Sequence, residues 1–207
     1  MVTKLLGKKI GVTRYFLDEG RSVAATIIKA GPCVVIQKKT SEKDGYEAIQ
    51  VGFEDQKEGR VKKPLRGHFK RAGEKCFRHL REIRVERADE FELGQEIRAD
   101  IFSIGEKVSV RGKSKGRGFT GVIKRWGFSG GKDTHGCRSH RVPGSIGTSA
   151  DPSRVLPGKK LPGRMGYQET TVKNLEILDV RPEMNVIALK GAVPGSRNSI
   201  IEIMKLQ

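Results

Sequence analysis

The chain has 207 residues, with 41 Lys and Arg against 24 Asp and Glu, for a formal net charge of +17. That length can bury a real core, and the charge imbalance bears on partners rather than on fold, because its natural counter-surface is a polyanion. No run approaches the roughly 18 apolar residues of a spanning helix and no basic amphipathic helix stands out, so the expected polyanion is nucleic acid and not a membrane.

From the start, MVTKLLGKKIGVTRYF has charges inside its apolar run and no small-residue cleavage site, which reads as folded structure rather than a targeting signal. LLGKKIGVTRYF leads to a turn at Asp18-Glu19-Gly20, then RSVAATIIKAG, CVVIQKK, a turn at Asp44-Gly45, and YEAIQVGF. These period-two runs bounded by turn residues predict four short strands, and residues 1–57 are read as the first part of a β-barrel. RVKKPLRGHFKRAG, from Arg60, is basic with helical spacing after Pro64, and continues through CFRHLREIRVE to the acidic ADEFELGQE. Residues 58–100 are therefore expected to form a small helix-plus-strand insertion. Asp89, Glu90 and Glu92 read as a solvated turn, and no nucleophile elbow or paired-carboxylate pocket frames a catalytic group, so no enzyme is expected.

Residues 101–126 predict a barrel strand, EKVSVRGK, followed by a basic turn and a helix, GFTGVIKRW. Between Gly127 and Gly166 the forty residues include nine Gly, four Pro, seven Lys or Arg, two acids and only nine apolar side chains, too few to pack on themselves. So long a loop is functional or disordered as a rule, and here single Arg, Leu, Ile, Val and Met alternate with Gly and Pro as if each side chain had its own pocket on another molecule. Residues 167–207 return to strand patterns: VKNLEILDVR, a turn at Pro182-Glu183, NVIALK, and, after GAVPGSRN, SIIEIMK. Closing these strands with the N-terminal ones would leave no open edges.

Gly116-Arg117-Gly118-Phe119-Thr120-Gly121 fits the dinucleotide pattern G-x-G-x-x-G, but no second buried strand and no acid about 20 positions on follow it. A phosphate-gripping turn fits better. Arg111, Lys113, Lys115 and Arg117 alternate as on one face of a strand, Lys124, Arg125 and Trp126 extend the basic surface, and residues 107–132 contain no acid. Gly112-Lys113-Ser114 lacks the upstream glycine of a phosphate loop, since the position five before Gly112 is Lys107. His135, Cys137 and His140 offer three zinc ligands without a fourth, and Arg138 and Arg141 beside them suit phosphate better than a cation. The three cysteines, Cys33, Cys76 and Cys137, give no disulfide framework and suit a reducing, cytoplasmic compartment. No cofactor, metal or small-molecule substrate is expected.

Several stretches, taken together and in order, resemble the bacterial large-subunit ribosomal protein L-three family. They are LLGKKIGVTRYF (with Gly7, Lys9, Gly11, Thr13 and Phe16 in place and Val12 where methionine is common), AGPCVVIQ, SKGRGFTGVIKRW, THG, SHRVPGSIG, PGKKLPGRMG and LKGAVPG. The resemblance runs essentially end to end. It implies a mainly β chain: a closed six-stranded translation-protein-type barrel with a small α/β insertion and a long irregular basic extension that threads into large-subunit rRNA. It also implies an early role in subunit assembly near the 3′ region of that rRNA, and contacts with ribosomal proteins L-fourteen and L-nineteen.

The rRNA-binding residues expected on this reading are Lys8, Lys9, Arg14, Lys62, Lys63, Arg66, Lys70, Arg71, Arg111, Lys113, Lys115, Arg117, Lys124, Arg125, Trp126, Lys132, His135, Arg138, His140, Arg141, Arg154, Lys159, Lys160 and Arg164. The resemblance places the tip of the extension, Gly147, Thr148, Ser149, Ala150, Asp151 and Pro152, near the peptidyl-transferase centre. Some relatives carry a methylated glutamine there; Thr148-Ser149-Ala150 leaves none to modify. The rival binding-module reading is an RNA chaperone or translation factor on a similar barrel.

Overall fold

In chain order the strands are β1 (Lys4–Phe16), β2 (Ser22–Ala30), β3 (Cys33–Lys39), β4 (Ala48–Asp55), β5 (Phe77–Arg84), β6 (Glu96–Ile97), β7 (Lys107–Lys113), β8 (Gly118–Thr120), β9 (Gly163–Met165), β10 (Glu169–Arg181), β11 (Val186–Lys190) and β12 (Ile200–Lys205). Among the described residues, three short α-helices join them: α1 (Ser41–Asp44), α2 (Lys63–Phe69) and α3 (Val122–Trp126). The computed structural model describes residues 3–17, 20–73 and 75–206; Asp18 and Glu19 of the first expected turn lie outside the described residues. No described helix is long and apolar enough to cross a membrane.

Six strands close into an antiparallel barrel in the order β1-β12-β7-β10-β11-β2. Alternation sets which side chains turn inward: Val108 and Val110 of β7, Ile187 and Leu189 of β11, and Ile201 and Ile203 of β12 are at most 1% exposed. Each such burial contributes about 1.5–3 kcal/mol relative to leaving the side chain in water. Glycine makes room for the larger interior residues. A Cβ on Gly7 would lie 2.8 Å from Ile28 Cγ2, and one on Gly112 2.9 Å from Ile201 Cγ2. Bulges between Lys9 and Gly11 in β1, and at two points in β10, bend the long strands so that the barrel can close.

From residues 1–57 the barrel takes only β1 and β2. The third and fourth predicted strands leave it for a second sheet, ordered β5-β4-β3-β6, in which residues 58–100 supply the two edge strands. The cause lies in the run Cys33-Val34-Val35-Ile36, which is apolar at successive positions and therefore needs cover on both faces. Cys33 and Val35 face the barrel's own apolar cluster. Val34 and Ile36 face the other way, under Val61, Phe69 of α2, Cys76 and Phe77. The helix-and-strand segment is thus the lid of a sheet begun by residues 33–55.

The chain divides into two compact units, Met1–Lys113 with Glu169–Gln207, and Ser114–Gln168. The first holds the barrel and the second sheet. The second contains a two-stranded sheet, β8 with β9, and the helix α3.

Candidate nucleic-acid interface

The Ser114–Gln168 unit begins and ends at a backbone clasp, where the Ser114 N–H donates to the Gln168 carbonyl (2.9 Å) and the Gln168 N–H to Ser114 Oγ (3.2 Å). Next, Gly118↔Met165, Phe119↔Arg164 and Thr120↔Gly163 pair as β8 and β9. Gly121 then starts α3, whose single turn ends at Gly127 in the left-handed region (φ 73°), with the Gly127 N–H donating to the Ile123 carbonyl. The turn buries Val122 and presents Arg125 and Trp126 to the returning chain. The Arg125 guanidinium donates to the Leu161 carbonyl (2.7 Å), and lies 5.0 Å from the Trp126 ring, over which Lys160 Nζ also sits at 5.9 Å.

Beyond this base, the Gly131 N–H donates to the His140 carbonyl, and His140 Nδ1 lies 3.6 Å from Asp133 Oδ1. Every residue from 143 to 160 is exposed. Among them Ile146, Val155 and Leu156 are 48%, 42% and 56% exposed, each an isolated apolar side chain without a protein core beneath it. The unit carries eleven Lys and Arg against two Asp, a formal +9 in 55 residues, over half of the chain's net charge. The barrel unit treats its charges differently, pairing acids with bases in Lys8–Glu54, Lys39–Glu82, Arg98–Glu96, Arg111–Glu169 and Lys190–Glu176.

The expected site residues fall into two groups. Lys115, Arg117, Lys124, Arg125, Trp126, Lys132, His135, Arg138, His140, Arg141, Arg154, Lys159, Lys160 and Arg164 belong to the 114–168 unit. The other ten lie in the barrel unit, and several have work to do there. Lys9 is 8% exposed and donates through Nζ to the carbonyls of Val193 (2.8 Å) and Gly195 (3.2 Å), so its ammonium points into the protein. Lys8 bonds Glu54 at 2.7 Å, and Arg66 bonds the Val61 carbonyl at 2.8 Å and faces Glu58 at 3.6 Å.

β7 ends at Lys113, so Arg111 and Lys113 share a strand face but Lys115 and Arg117 do not continue it. Arg111 pairs with Glu169 on β10, which holds that carboxyl below its ordinary range; the acid missing from residues 107–132 comes from 58 positions away. Arg14, Lys62, Lys63, Lys70 and Arg71 remain exposed. Among the described residues, no group of three or more His, Cys, Asp or Glu is placed to hold a metal ion.

Two aromatics went unnoticed in the sequence. Phe119 is 79% exposed on β8, and Tyr167, 57% exposed, has the Arg164 guanidinium 5.6 Å from its ring. Aromatic rings interleaved with cations, as in RGF and RMGY, form the surface on which unpaired bases stack.

The sequence profile of the family described as ribosomal protein L3 matches residues 80–185, a span that includes the whole 114–168 unit. The large ribosomal subunit protein uL3 of Carboxydothermus hydrogenoformans is 55% identical over 199 residues, covering 96% of this chain and 95% of that protein. This chain belongs to the ribosomal protein L3 family. The uL3 proteins of Desulforapulum autotrophicum (53% over 205 residues, 99% of each chain) and Syntrophus aciditrophicus (53% over 203 residues, 98% of this chain and 93% of that one) are similar throughout as well. Membership of the L3 family makes the chain a structural constituent of the large ribosomal subunit rather than an enzyme.

Proposed function

We propose that the chain binds large-subunit rRNA chiefly through the Ser114–Gln168 unit, with Gly147–Pro152 at its tip buttressing the RNA of the peptidyl-transferase centre. The observation that carries the reading is the composition of that unit's surface: a formal +9 and, among the described residues, one carboxylate contact, Asp133 with His140. Unbalanced cations repel one another unless a polyanion threads between them. A thin glycine- and proline-rich strand with single apolar side chains fits between RNA helices, where a sheet or a helix pair would be too wide. Exposed Phe119, Trp126 and Tyr167 supply stacking faces at the base of the same unit. The family resemblance supports early participation in subunit assembly and neighbours among the ribosomal proteins, L14 and L19 by expectation.

Counterion release gives the test. With about 6 to 10 phosphate contacts, the affinity of the full chain for a large-subunit rRNA transcript falls roughly a thousandfold or more between about 50 and 200 mM salt. Combining Lys115→Glu with Arg117→Glu flattens that slope. A response that is nearly flat in the unmodified chain would sink the reading.

A further inference from the structure

The loop between β11 and β12, Gly191 to Ser199, is far from the basic tract in sequence and contains one cation, Arg197, and no acid. Five of its backbone carbonyls are already hydrogen-bonded. The Gly191 carbonyl accepts from the buried Thr26 hydroxyl at 2.6 Å, those of Val193 and Gly195 from the Lys9 ammonium, and that of Ser196 from the Ser199 hydroxyl at 2.7 Å. The Ser199 carbonyl accepts from the Lys9 N–H at 3.0 Å, and the Asn198 N–H donates back to the Lys9 carbonyl at 2.8 Å. Lys9 therefore grips the loop by backbone and side chain together.

What faces water is the complement. Ser196, Arg197 and Asn198 are exposed in succession, and among the described residues the Ser196 and Arg197 N–H groups donate to nothing. A hydroxyl, a guanidinium, an amide and two free N–H groups then share one turn, held from below by a buried cation. An exposed turn that offers several donors and a guanidinium, in a loop where most carbonyls are already bonded, is a seat for an anion.

We infer that Ser196–Asn198 is an additional RNA phosphate-contact site, on the barrel rather than the extension, and that Lys9 is its positioning residue. The inference rests on the rRNA-binding reading above. The rRNA-binding reading supplies the anion as a phosphate, whose two non-bridging oxygens the donors of one exposed turn reach as an RNA backbone passes over the surface.

The test uses the full chain and a large-subunit rRNA transcript in a salt titration. Arg197→Ala weakens binding about tenfold and lowers the salt slope by about one contact, with the unfolding midpoint unchanged. Lys9→Met releases the loop, so that Arg197→Ala costs clearly less in the Lys9→Met background than alone; full additivity would overturn the positioning role. If Lys9→Met does not fold, the Arg197 arm decides alone. Wild-type affinity and slope in Arg197→Ala, while the Lys115→Glu/Arg117→Glu variant still loses both, would overturn this site and leave the general reading standing. Loss in neither variant would remove both. Inorganic phosphate at matched ionic strength leaves the Arg197-dependent part of binding intact; saturable displacement of that part would make this a free-anion site and overturn the RNA assignment.

Discussion

The indole N–H of Trp126 donates to the carbonyl oxygen of Leu161, 3.0 Å away and 35 positions later, on the same oxygen that accepts from Arg125. One acceptor thus ties α3 to the segment that leads into β9. Trp126→Phe removes a neutral bond worth about 1 kcal/mol, and Arg125→Met a charge-assisted one worth about 1.5–3 kcal/mol. In either single variant the carbonyl keeps a protein partner; in the double variant both ties are gone and water takes the partly exposed oxygen, so the double loss is about the sum. Hydrogen exchange at the Arg117 amide, which donates to the Met165 carbonyl, reads the loosening. The barrel's unfolding midpoint stays where it is.

The residues that were legible in the sequence are those whose role is set by their neighbours in the chain. The period-two run SIIEIMK became β12, buried at alternate positions, and NVIALK became β11, whose Ile187 and Leu189 fill the barrel while Ala188 is buried as well. Cys33-Val34-Val35-Ile36 also read as a strand, but its sheet depended on Val61, Phe69 and Phe77, which no local pattern shows to lie above it. Asp44-Gly45 did mark a chain reversal, with Gly45 at φ 81°; the single helical turn Ser41–Asp44 before it was too short to leave a period. The internal partners of cations left no local signal where they are remote: Lys9 meets carbonyls 184 and 186 positions away, and Arg111 a carboxylate 58 away. The acid-poor composition of the 114–168 unit, by contrast, was legible from the chain alone, because a count of charges needs no partner to be seen.

Lys8 makes a separable prediction about pH. Its ammonium, with smaller contributions from Arg78 and His79, holds the Glu54 carboxyl below the usual glutamate range. A lowered folded-state pKa stabilises the fold above the unfolded glutamate value of about 4.3, and that stabilisation is lost as pH falls through the lowered one. Lys8→Met raises the Glu54 pKa toward its ordinary value. The stability gap between wild type and variant is therefore widest above the unfolded glutamate value of about 4.3 and closes as pH falls through the lowered one, which denaturant melts across the acid range would show. Affinity for rRNA falls less than in Arg14→Met, since Arg14 is exposed on the same strand while Lys8 is already paired.

Two glycines of the extension separate internal packing from an external surface. A Cβ on Gly166, at φ 76°, would collide with the Lys115 carbonyl, so Gly166→Ala destabilises the free unit by about 1 kcal/mol or more. Gly121 has φ −69° and ψ 168°, and a Cβ there meets nothing within 4 Å. Because Gly121 is the N-cap of α3, where Ala is disfavoured relative to Gly, Gly121→Ala costs the free protein about 1 kcal/mol at most. In competition with the unmodified chain during subunit reconstitution it nevertheless incorporates less well, because an RNA backbone packed against that open face would meet the added methyl. Equal incorporation would remove Gly121 from the interface.

The tip offers the widest separation between stability and function. Across residues 144–158 the side-chain hydrogen bonds are local, Ser145 Oγ to the Gly147 carbonyl at 3.0 Å and Thr148 Oγ1 to the Asp151 carbonyl at 3.2 Å, and every residue is exposed. Replacing 144–158 by a short Gly-Ser linker removes no buried apolar contact, and the cost of closing a loop changes only slowly with its length. The thermal transition of the free protein therefore moves little. On the proposed role of the tip, holding nucleotides in place, large subunits reconstituted with the shortened chain form peptide bonds more slowly, or respond differently to drugs that bind the catalytic centre. Substitutions confined to Ser149–Pro152 give weaker versions of the same effect, since they displace the RNA less than removal of the whole segment. Peptidyl transfer and drug sensitivity, measured beside the melting curve on fully assembled subunits, decide the matter. Unchanged activity and drug response would take the tip out of the mechanism, whereas a collapsed melting curve would make the segment part of the fold.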